Sequence, residues 1–505
     1  MEFSSSSLLF AFLLFLYMLY KIGKRSKANI STQKLPPGPW KLPLIGNVHQ
    51  LVGSLPHRSL TLLAKKYGPL MRLQLGEVST LIVSSPEMAK QVMKTHDTNF
   101  AQRPILLATR ILSYDCSGVA FAPYGDYWRQ LRKICVVELL TAKRVKSFQS
   151  VREEEISNLI TMVTSCSRLQ INFTEKISSL TFSIIARAAF GKKSEDQDAF
   201  LSVMKELVEM ASGFCVADMY PSVKWLDLIS GMRYKIDKVF RMTDRILQNI
   251  VDEHREKLKT QSGKLEGEAD LVDVLLKLQQ NGDLQFPLTD NNIKAVILDI
   301  FGGAGESTST SVEWAMSEML KAPIVMEKAQ AEVRSVFDGK GHVDETAIDE
   351  LKFLKAVVNE TLRLHPPFPL LLPRECREMC KINGYEIPEK TRIIVNAWAI
   401  GRDSDYWVEA ERFYPERFLD SSIDYKGTDF GYIPFGAGRR ICPGILFAMP
   451  GIELPLANLL YHFDWKLPNG MKAEDLDMTE AFGLAVRRKQ DLHLIPIPYN
   501  PSHAD

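Results

Sequence analysis

Cysteine is scarce in this chain, and net charge is almost absent. The seven cysteines among 505 residues are odd in number and too few for a disulfide framework, which favours a reducing compartment. Lysine and arginine total 62 and the acidic residues 61, so the formal net charge of +1 gives no overall reason to expect nucleic acid as a partner. A composition of 46% hydrophobic and 24% charged residues excludes a disordered chain and a polytopic membrane protein.

The sequence also lacks internal repeats and any linker rich in proline, glycine and serine that would divide its body. At roughly 100–200 residues per domain, the length alone would allow two to four domains. Helical periodicity dominates, and short β-like runs interrupt it at 70–75, 80–84, 392–396 and 492–497. We therefore predict one large domain that is mainly α with a small β portion.

One long uncharged run stands at the N-terminus. Residues 3–20 carry no charge, and a helix of this length spans about 27 Å, just enough to cross the hydrocarbon core of a membrane. Four basic residues follow at once: Lys21, Lys24, Arg25 and Lys27. A cleaved signal peptide is the alternative, but its basic residues would precede the apolar run. We predict a retained single-pass anchor with its basic flank over residues 1–28, and a body held in the cytosol by the positive-inside rule.

A proline-rich segment links this run to the body. Residues 35–40 read Leu-Pro-Pro-Gly-Pro-Trp. Proline fixes φ and removes a backbone donor, so such a segment is stiff and non-helical. We predict a hinge over residues 29–45 and a catalytic body over residues 46–505.

The chemistry concentrates near the C-terminus, where residues 435–444 read Phe-Gly-Ala-Gly-Arg-Arg-Ile-Cys-Pro-Gly. A lone cysteine is most often an inert buried residue. Cys442, however, lies close to Arg439 and Arg440 and just before a helix start, and both features favour a thiolate. Zinc would need further cysteine or histidine ligands at recognisable spacing, and none lies nearby. A single thiolate suits haem iron, because the porphyrin supplies the four equatorial bonds.

The pattern Phe-x-x-Gly-x-Arg-x-Cys-x-Gly resembles the loop that carries the axial cysteinate in the cytochrome P450 monooxygenases. The resemblance extends over the whole chain, including the anchor and the proline hinge. It implies the cytochrome P450 fold, with haem b and dioxygen as cofactors. It also implies that Cys442 is the ligand of the iron, that Phe435 contacts the haem, and that Arg440 pairs with a haem propionate.

Other stretches agree with this resemblance. Residues 128–132 read Trp-Arg-Gln-Leu-Arg and resemble the helix whose Trp and Arg contact the propionates, which implies Trp128 and Arg132. Pro-Arg-Glu at 373–375 resembles another such contact and implies Arg374. Three arginines converging on two carboxylates form an arrangement that charge-assisted hydrogen bonding favours. The motifs at 360–363 and 415–418 imply a buried structural triad of an acid and two arginines: Glu360, Arg363 and Arg417.

A helix start at Thr289 opens a segment that continues to about residue 320, and its centre carries the oxygen-handling motif in the family. Counting from Phe301 and Trp314 places the acid at Glu306 and the alcohol at Ser307. Sliding the register by one residue would instead make Thr308 the alcohol and put Ser307 at the position of the acid. We prefer the first register, in which Glu306 and Ser307 relay protons to the distal oxygen.

The chain departs from the family pattern at two places. Gly302, Gly303 and Gly305 lie inside the long helix, where each costs about 1 kcal/mol relative to alanine. We expect them to let dioxygen and substrate approach the iron closely. Pro450 lies inside the helix after the cysteine loop, where we expect a kink or an irregularity, because proline removes a helical hydrogen bond.

Electrons must come from outside, since no Gly-x-Gly-x-x-G motif opens a βαβ unit. The resemblance implies the NADPH–cytochrome P450 reductase as the partner, with NADPH as the electron source, and a location at the endoplasmic reticulum membrane. The reductase would dock on a basic patch formed by Arg129, Lys133 and Arg439. Two alternatives remain: a haem-thiolate isomerase or dehydratase on the same fold, and a non-catalytic haem-binding membrane protein.

The segments that match substrate-contacting regions of the family are strongly apolar. This indicates a small-molecule substrate that is bulky and apolar. They are 111–122, 211–217, 368–372 and 482–485. Residues 124–130, 440–444 and 461–466 resemble a plant subgroup that oxidises terpenoids and terpenoid indole alkaloids. The sequence does not choose between these two substrate classes.

The first prediction concerns topology. If residues 3–20 anchor the chain with its basic flank in the cytosol, protease added to sealed microsomes should digest the body. The same treatment should spare a lumenal marker protein, which controls for vesicle integrity. Full protection of the body until detergent is added would reverse the topology.

Overall fold

The computed structural model describes residues 34–191, 215–223, 225–229, 231–260 and 269–499, together with the single positions 203, 204, 206 and 210. The helices up to residue 191 are α1 Pro56–Tyr67, α2 Pro86–Lys90, α3 Asp97–Phe100, α4 Leu107–Leu112, α5 Asp126–Ile134, α6 Ala142–Ser147, α7 Gln149–Ser165 and α8 Phe173–Phe190. The later helices are α9 Val216–Met219, α10 Leu226–Ile229, α11 Met232–Thr260, α12 Leu271–Asn281, α13 Asp290–Lys321, α14 Pro323–Phe337, α15 Lys352–Leu364, α16 Ala397–Ile400 and α17 Ile445–His462.

The β portion is small and lies beside the helices. The strands are β1 Leu70–Leu75, β2 Val78–Val83, β3 Ile171–Asn172, β4 Arg374–Glu375, β5 Cys380–Ile382, β6 Tyr385–Ile387, β7 Arg392–Val395, β8 Phe463–Lys466 and β9 His493–Pro498. One sheet has the order β1-β2-β7-β4, in which only β2 and β7 run parallel. The others are the antiparallel sheet β3-β9-β8 and the hairpin β5-β6. The mainly α architecture with a small β portion is confirmed, and all four β-like runs form strands.

The described part of the proline-rich segment is fastened to this sheet. The Pro37 carbonyl accepts a hydrogen bond of 2.7 Å from the Arg72 amide of β1, and Gly46 forms a bridge with Leu75. A Cβ at Gly38 would overlap the Arg72 carbonyl, so only glycine permits this approach. The segment is therefore non-helical, as predicted, and it is attached to the edge strand.

Helix α13 crosses the whole core. Thr289 caps it through a reciprocal pair of hydrogen bonds with Asn292, and the helix ends at Lys321, so the predicted start and end are confirmed. At 1.5 Å per residue its 32 residues span about 48 Å. It packs against α8, α15 and α17, and large apolar side chains such as Phe301 and Trp314 are fully buried along it. The middle of α13 is thereby held in the interior.

The implied triad is present. Glu360 and Arg363, three residues apart on α15, are joined by two hydrogen bonds of 2.7 and 2.8 Å, and Arg417 reaches Glu360 at 3.0 Å. Arg363 also donates to the carbonyls of Gly401 and Ala410. Both members of the α15 pair are buried, and each finds several partners, which is what a buried ion pair requires. The triad therefore ties α15 to the chain that precedes the cysteine loop.

The irregularity expected at Pro450 does not interrupt the helix. Helix α17 is continuous from Ile445 to His462 and contains both Pro450 and Pro455. It packs against α7, α13, α14 and α15, and this burial compensates for the missing backbone hydrogen bonds. Within the described ranges, no helix is both long and apolar enough to cross a membrane. The predicted anchor at 3–20 lies outside them.

Candidate active site

One large cavity opens between α13, α5 and the cysteine loop, with about 1600 Å³ of empty space including its mouth. Six side chains predicted to bind the cofactor all line it: Trp128, Arg132, Arg374, Phe435, Arg440 and Cys442. Ser307 lines it as well, from the middle of α13. The structure therefore brings together residues that are up to about 300 positions apart in the sequence.

The cysteine loop holds its thiol towards this cavity. The Cys442 amide donates to the Phe435 carbonyl at 3.0 Å, which closes the loop, and the Gly444 amide points at Cys442 Sγ from 3.4 Å. Gly438 has a φ of +71°, and a Cβ there would collide with the Met93 carbonyl and with Asp97. Only glycine suits such a position, so the glycine spacing of the motif is a steric requirement.

The protonation of Cys442 is set by opposing effects. Burial raises the pKa of its thiol, whereas the Gly444 amide and the positive charge of Arg132 lower it. The prediction that the loop arginines favour the thiolate was wrong in its choice of arginine. Arg132 of α5 acts on the sulfur, whereas the Arg440 guanidinium is engaged with backbone carbonyls.

Arg440 and Trp128 form one unit at the cavity wall. The Arg440 guanidinium carbon lies 4.2 Å from the centre of the Trp128 ring, a cation–π contact. Arg440 donates to the Ala101, Val119 and Ala122 carbonyls at 2.6–3.2 Å, and the Trp128 indole donates to the same Val119 carbonyl at 2.9 Å. This unit therefore clamps residues 119–122 to the cysteine loop.

Two further charged residues of this network were missed from the sequence. Arg103 lines the cavity and donates to the Ala120, Leu372 and Pro373 carbonyls at 2.7–3.0 Å. Asp97 pairs with Arg374 at 3.3 Å and also accepts from the Arg439 amide at 2.8 Å. No short motif marks either residue, because each acts on segments remote in sequence.

The cavity thus holds four arginines of like charge: Arg103, Arg132, Arg374 and Arg440. Burial lowers the pKa of each guanidinium. For Arg103 and Arg440, repulsion from neighbouring arginines lowers the pKa further, and that of Arg440 falls to about 9. Among the described residues, only Arg374 has a carboxylate partner within 4 Å. The cluster would therefore gain stability from added anionic charge.

The three residues at the centre of α13 are placed differently. Ser307 lines the cavity, and its hydroxyl donates to the Gly303 carbonyl one turn earlier at 2.6 Å. Thr308 also lines the cavity but is buried, with its methyl directed at Gly451 of α17. Glu306 is half-buried and is not part of the cavity lining that the described residues form, because successive helical residues point about 100° apart. Ser307 therefore faces the cavity, whereas Glu306 lies outside its described lining.

The glycines of α13 have separate roles. Gly303 lines the cavity, and nothing lies within 4 Å of the position its Cβ would occupy, which agrees with the expected open approach. At Gly305, however, a Cβ would overlap the Phe182 ring of α8. The expectation that the glycine leaves room for dioxygen and substrate is wrong there, since Gly305 serves the packing of two core helices.

Asp299 is a further residue that sequence analysis missed. It lines the cavity and lies on the same face of α13 as Gly303 and Ser307, at intervals of four residues. Its carboxylate accepts from the Ala120 amide at 2.9 Å, and burial raises its pKa to about 7 against the lowering effect of this bond and of nearby arginines. A Cβ at Gly118 would overlap this carboxylate, so Gly118 and Asp299 fit only as a pair. The four-residue spacing was a signal that could have revealed it.

The predicted substrate segments divide between two cavities. Residues of 111–122 and of 368–372 line the large cavity, whereas Phe482, Gly483 and Leu484 line a smaller one. Leu371 lines both, so the two cavities adjoin. Residues 211–214 of the remaining segment lie outside the described residues.

The geometry and the sequence lead to the same family. The profile of the Cytochrome P450 family matches residues 36–495. The chain belongs to this family. Its cofactors are accordingly haem and dioxygen, and its activity is that of a P450 monooxygenase.

Similar proteins cover nearly the whole chain. Desmethyl-deoxy-podophyllotoxin synthase of Sinopodophyllum hexandrum is 58% identical, over 98% of this chain and 97% of the relative. Premnaspirodiene oxygenase of Hyoscyamus muticus is 53% identical, over 99% of this chain and 100% of the relative. A zebra fish cytochrome P450 solved with abiraterone is 25% identical, with a TM-score of 0.74 over 88% of this chain and 99% of that one. The chain is therefore a P450 that resembles plant enzymes.

The residues around the cavity fit a haem. Three of the four arginines have no carboxylate partner within 4 Å among the described residues, and a haem brings two propionate carboxylates. Two free cysteines line the cavity, Cys135 and Cys442, and Cys442 offers the thiol of the kind that ligates haem iron in this family. The propionates and the iron of a haem would thus each meet a matching group in the cavity.

The pairing of Gly118 with Asp299 gives a second prediction. Gly118→Ala should destabilise the protein by about 1–3 kcal/mol, because the new methyl group overlaps the carboxylate. In an Asp299→Ala background the same substitution should cost at least about 1 kcal/mol less, since residues in contact are energetically coupled. Urea unfolding of the four proteins in this cycle measures the difference. An equal cost of Gly118→Ala in both backgrounds would contradict the contact.

Proposed function

We propose that this P450 is a membrane-bound haem-thiolate monooxygenase that oxidises a bulky apolar plant metabolite with electrons from NADPH. The observation that carries the proposal is the convergence of the Cys442 thiol and four arginines on one cavity of mostly apolar lining. In this proposal Cys442 ligates the iron, and Arg132, Arg374 and Arg440 hold the propionates. When bound, the haem supplies the activation of dioxygen, which thiolate ligation favours.

The protein residues orient the cofactor and control the protons. Trp128 and Arg440 fix one wall, and Asp97 holds Arg374 in place at 3.3 Å. Burial raises the pKa of the Cys442 thiol, and the Gly444 amide and the positive charge of Arg132 offset part of this effect. The Ser307 hydroxyl can release its bond to the Gly303 carbonyl and donate into the cavity instead. Glu306, one position away, would supply the proton from behind the helix.

The substrate would be held by apolar contacts. Ile185, Ala188 and Leu362 line the cavity, with Phe368 and Leu372 from one of the predicted substrate segments. Such a lining favours a terpenoid or a terpenoid indole alkaloid over an ionic compound. The name of the Hyoscyamus muticus relative refers to a diene, which is a hydrocarbon and so agrees with an apolar substrate. Among the described residues that form this lining, Asp299 is the one carboxylate, so it would orient a polar group if the substrate carries one.

The electron partner and the location are part of the proposal. We place the chain at the endoplasmic reticulum membrane, with the anchor at 3–20 and the body in the cytosol, where the NADPH–cytochrome P450 reductase can reach it. Arg129 and Arg439 are half-exposed and Lys133 is exposed, so all three are available for docking. An isomerase or dehydratase on this fold would form product without NADPH or reductase. A non-catalytic protein would form none.

The third prediction tests the iron ligand. Cys442→Ser should abolish the thiolate-type spectrum of the reduced carbon-monoxide complex, because a serine hydroxyl cannot supply that ligand. The matched control is Cys135→Ala, which removes another cysteine of the same cavity and should keep the spectrum. Survival of the thiolate-type spectrum in Cys442→Ser would refute the assignment.

The fourth prediction tests the distal alcohol. With reductase and NADPH, Ser307→Ala should still consume NADPH but give severalfold less product per NADPH and correspondingly more hydrogen peroxide, because proton delivery into the cavity is lost. Thr308→Ala is the matched control and should change this ratio much less. Product, NADPH and peroxide are measured together. If only Thr308→Ala uncouples the reaction, Thr308 is the distal alcohol, the assigned register is off by one residue, and Glu306 loses its proposed role. NADPH-independent product would point to the isomerase alternative.

A further inference from the structure

A second, smaller cavity adjoins the one that contains Cys442. It lies between the start of α1, strand β7 and the loop at 482–484, with about 700 Å³ of empty space including its mouth. The segment 368–374 separates the two cavities, since each of its residues lines one or the other and Leu371 lines both. A ligand of the first cavity can therefore extend past Leu371 into the second.

The described lining of the second cavity is apolar except for His57 and Arg392. His57 Nε2 is already bound to the Glu480 carboxylate at 3.1 Å. Arg392 is only 8% exposed, and its Nε–H has no acceptor among the described residues. A buried donor without a partner costs about 1–3 kcal/mol. Arg392 thus offers this cavity a donor that an added oxygen atom would satisfy.

Two carboxyl groups lie near Arg392 and indicate which kind of oxygen it would accept. Glu375 stands directly opposite Arg392 in the β4–β7 ladder, and the Asp218 carbonyl of α9 accepts from the Arg392 guanidinium at 3.3 Å. Burial raises the pKa of both carboxyls, and the charge of Arg392 offsets part of this effect. A further carboxylate would be repelled by these two acids, whereas a neutral hydroxyl or carbonyl would not.

We propose that the second cavity is a subsite for a neutral oxygen of the substrate, a hydroxyl or a carbonyl, which accepts a hydrogen bond from Arg392 Nε. This inference rests on the proposed function, since the ligand is the substrate that is oxidised in the first cavity. It narrows the substrate class to a bulky apolar metabolite that already carries oxygen at one end. A pure hydrocarbon would fill the apolar lining but leave the donor unsatisfied.

Imidazoles with an alkyl chain on one ring nitrogen test the proposal, because the other nitrogen ligates haem iron and the chain extends from it. Full-length holoprotein would be titrated with two series of increasing chain length, one ending in a methyl group and one in a methyl ketone. The shift of the Soret band gives each affinity. At the length that reaches the second cavity, the affinity ratio of ketone to methyl should rise about threefold to tenfold above its value for short chains. A third series that ends in a carboxylate should show no such rise.

One variant and one control assign the effect to the arginine. Arg392→Met should remove the rise, because methionine fills similar space but offers no N–H donor. The matched control is Arg72→Met on β1 of the same sheet, since Arg72 lines neither cavity and the rise should persist.

The titration requires haem but neither reductase nor turnover, so it can fail while the proposed oxidation stands, and the reverse. The subsite is overturned if the ratio of ketone to methyl stays flat across all chain lengths in the wild-type protein, a comparison that needs no variant. It is also overturned if the rise survives in Arg392→Met. A larger rise in the carboxylate series than in the ketone series would refute the neutral class of ligand.

Discussion

The structure depends on how it holds four like-charged guanidinium groups around one buried cavity. Each group is removed from water, which destabilises its charge, and Arg103, Arg374 and Arg440 repel one another. Their N–H groups donate hydrogen bonds to backbone carbonyls from separate parts of the chain, such as those of Ala101, Val119 and Leu372. These bonds satisfy hydrogen bonding but supply no negative charge. The unmatched charge is what a haem with its two propionates would neutralise.

This constraint explains why irregular segments next to the cavity are fastened to the helical core. Arg440 and Trp128 close on the Val119 carbonyl, while Asp299 of α13 holds the Ala120 amide from the opposite side. The segment at 118–122 is thus fixed between the long helix and the cysteine loop, and it forms one wall of the cavity. Asp97 joins Arg374 to the same loop through the Arg439 amide. Cofactor wall and substrate wall are consequently parts of one hydrogen-bonded network.

Sequence alone predicted the features that local patterns encode. The start of α13 followed from its capping residue, and the strands began within two residues of the β-like runs. The cysteine loop was recognisable because its glycines and its cysteine have fixed spacing. Asp97, Arg103 and Asp299 were missed because their partners are remote in sequence. Gly305 was misread for a related reason, since only the structure shows that Phe182 packs against it.

The claim that the arginine cluster selects a dianionic cofactor can be measured directly. Protein expressed without haem would be titrated with iron protoporphyrin IX and, in parallel, with its dimethyl ester, which has the same ring and iron but no propionate charge. The account predicts much weaker binding of the ester, with most of the difference lost when Arg374 and Arg440 are both replaced by methionine. Equal affinity of the two porphyrins for the unmodified protein would contradict it.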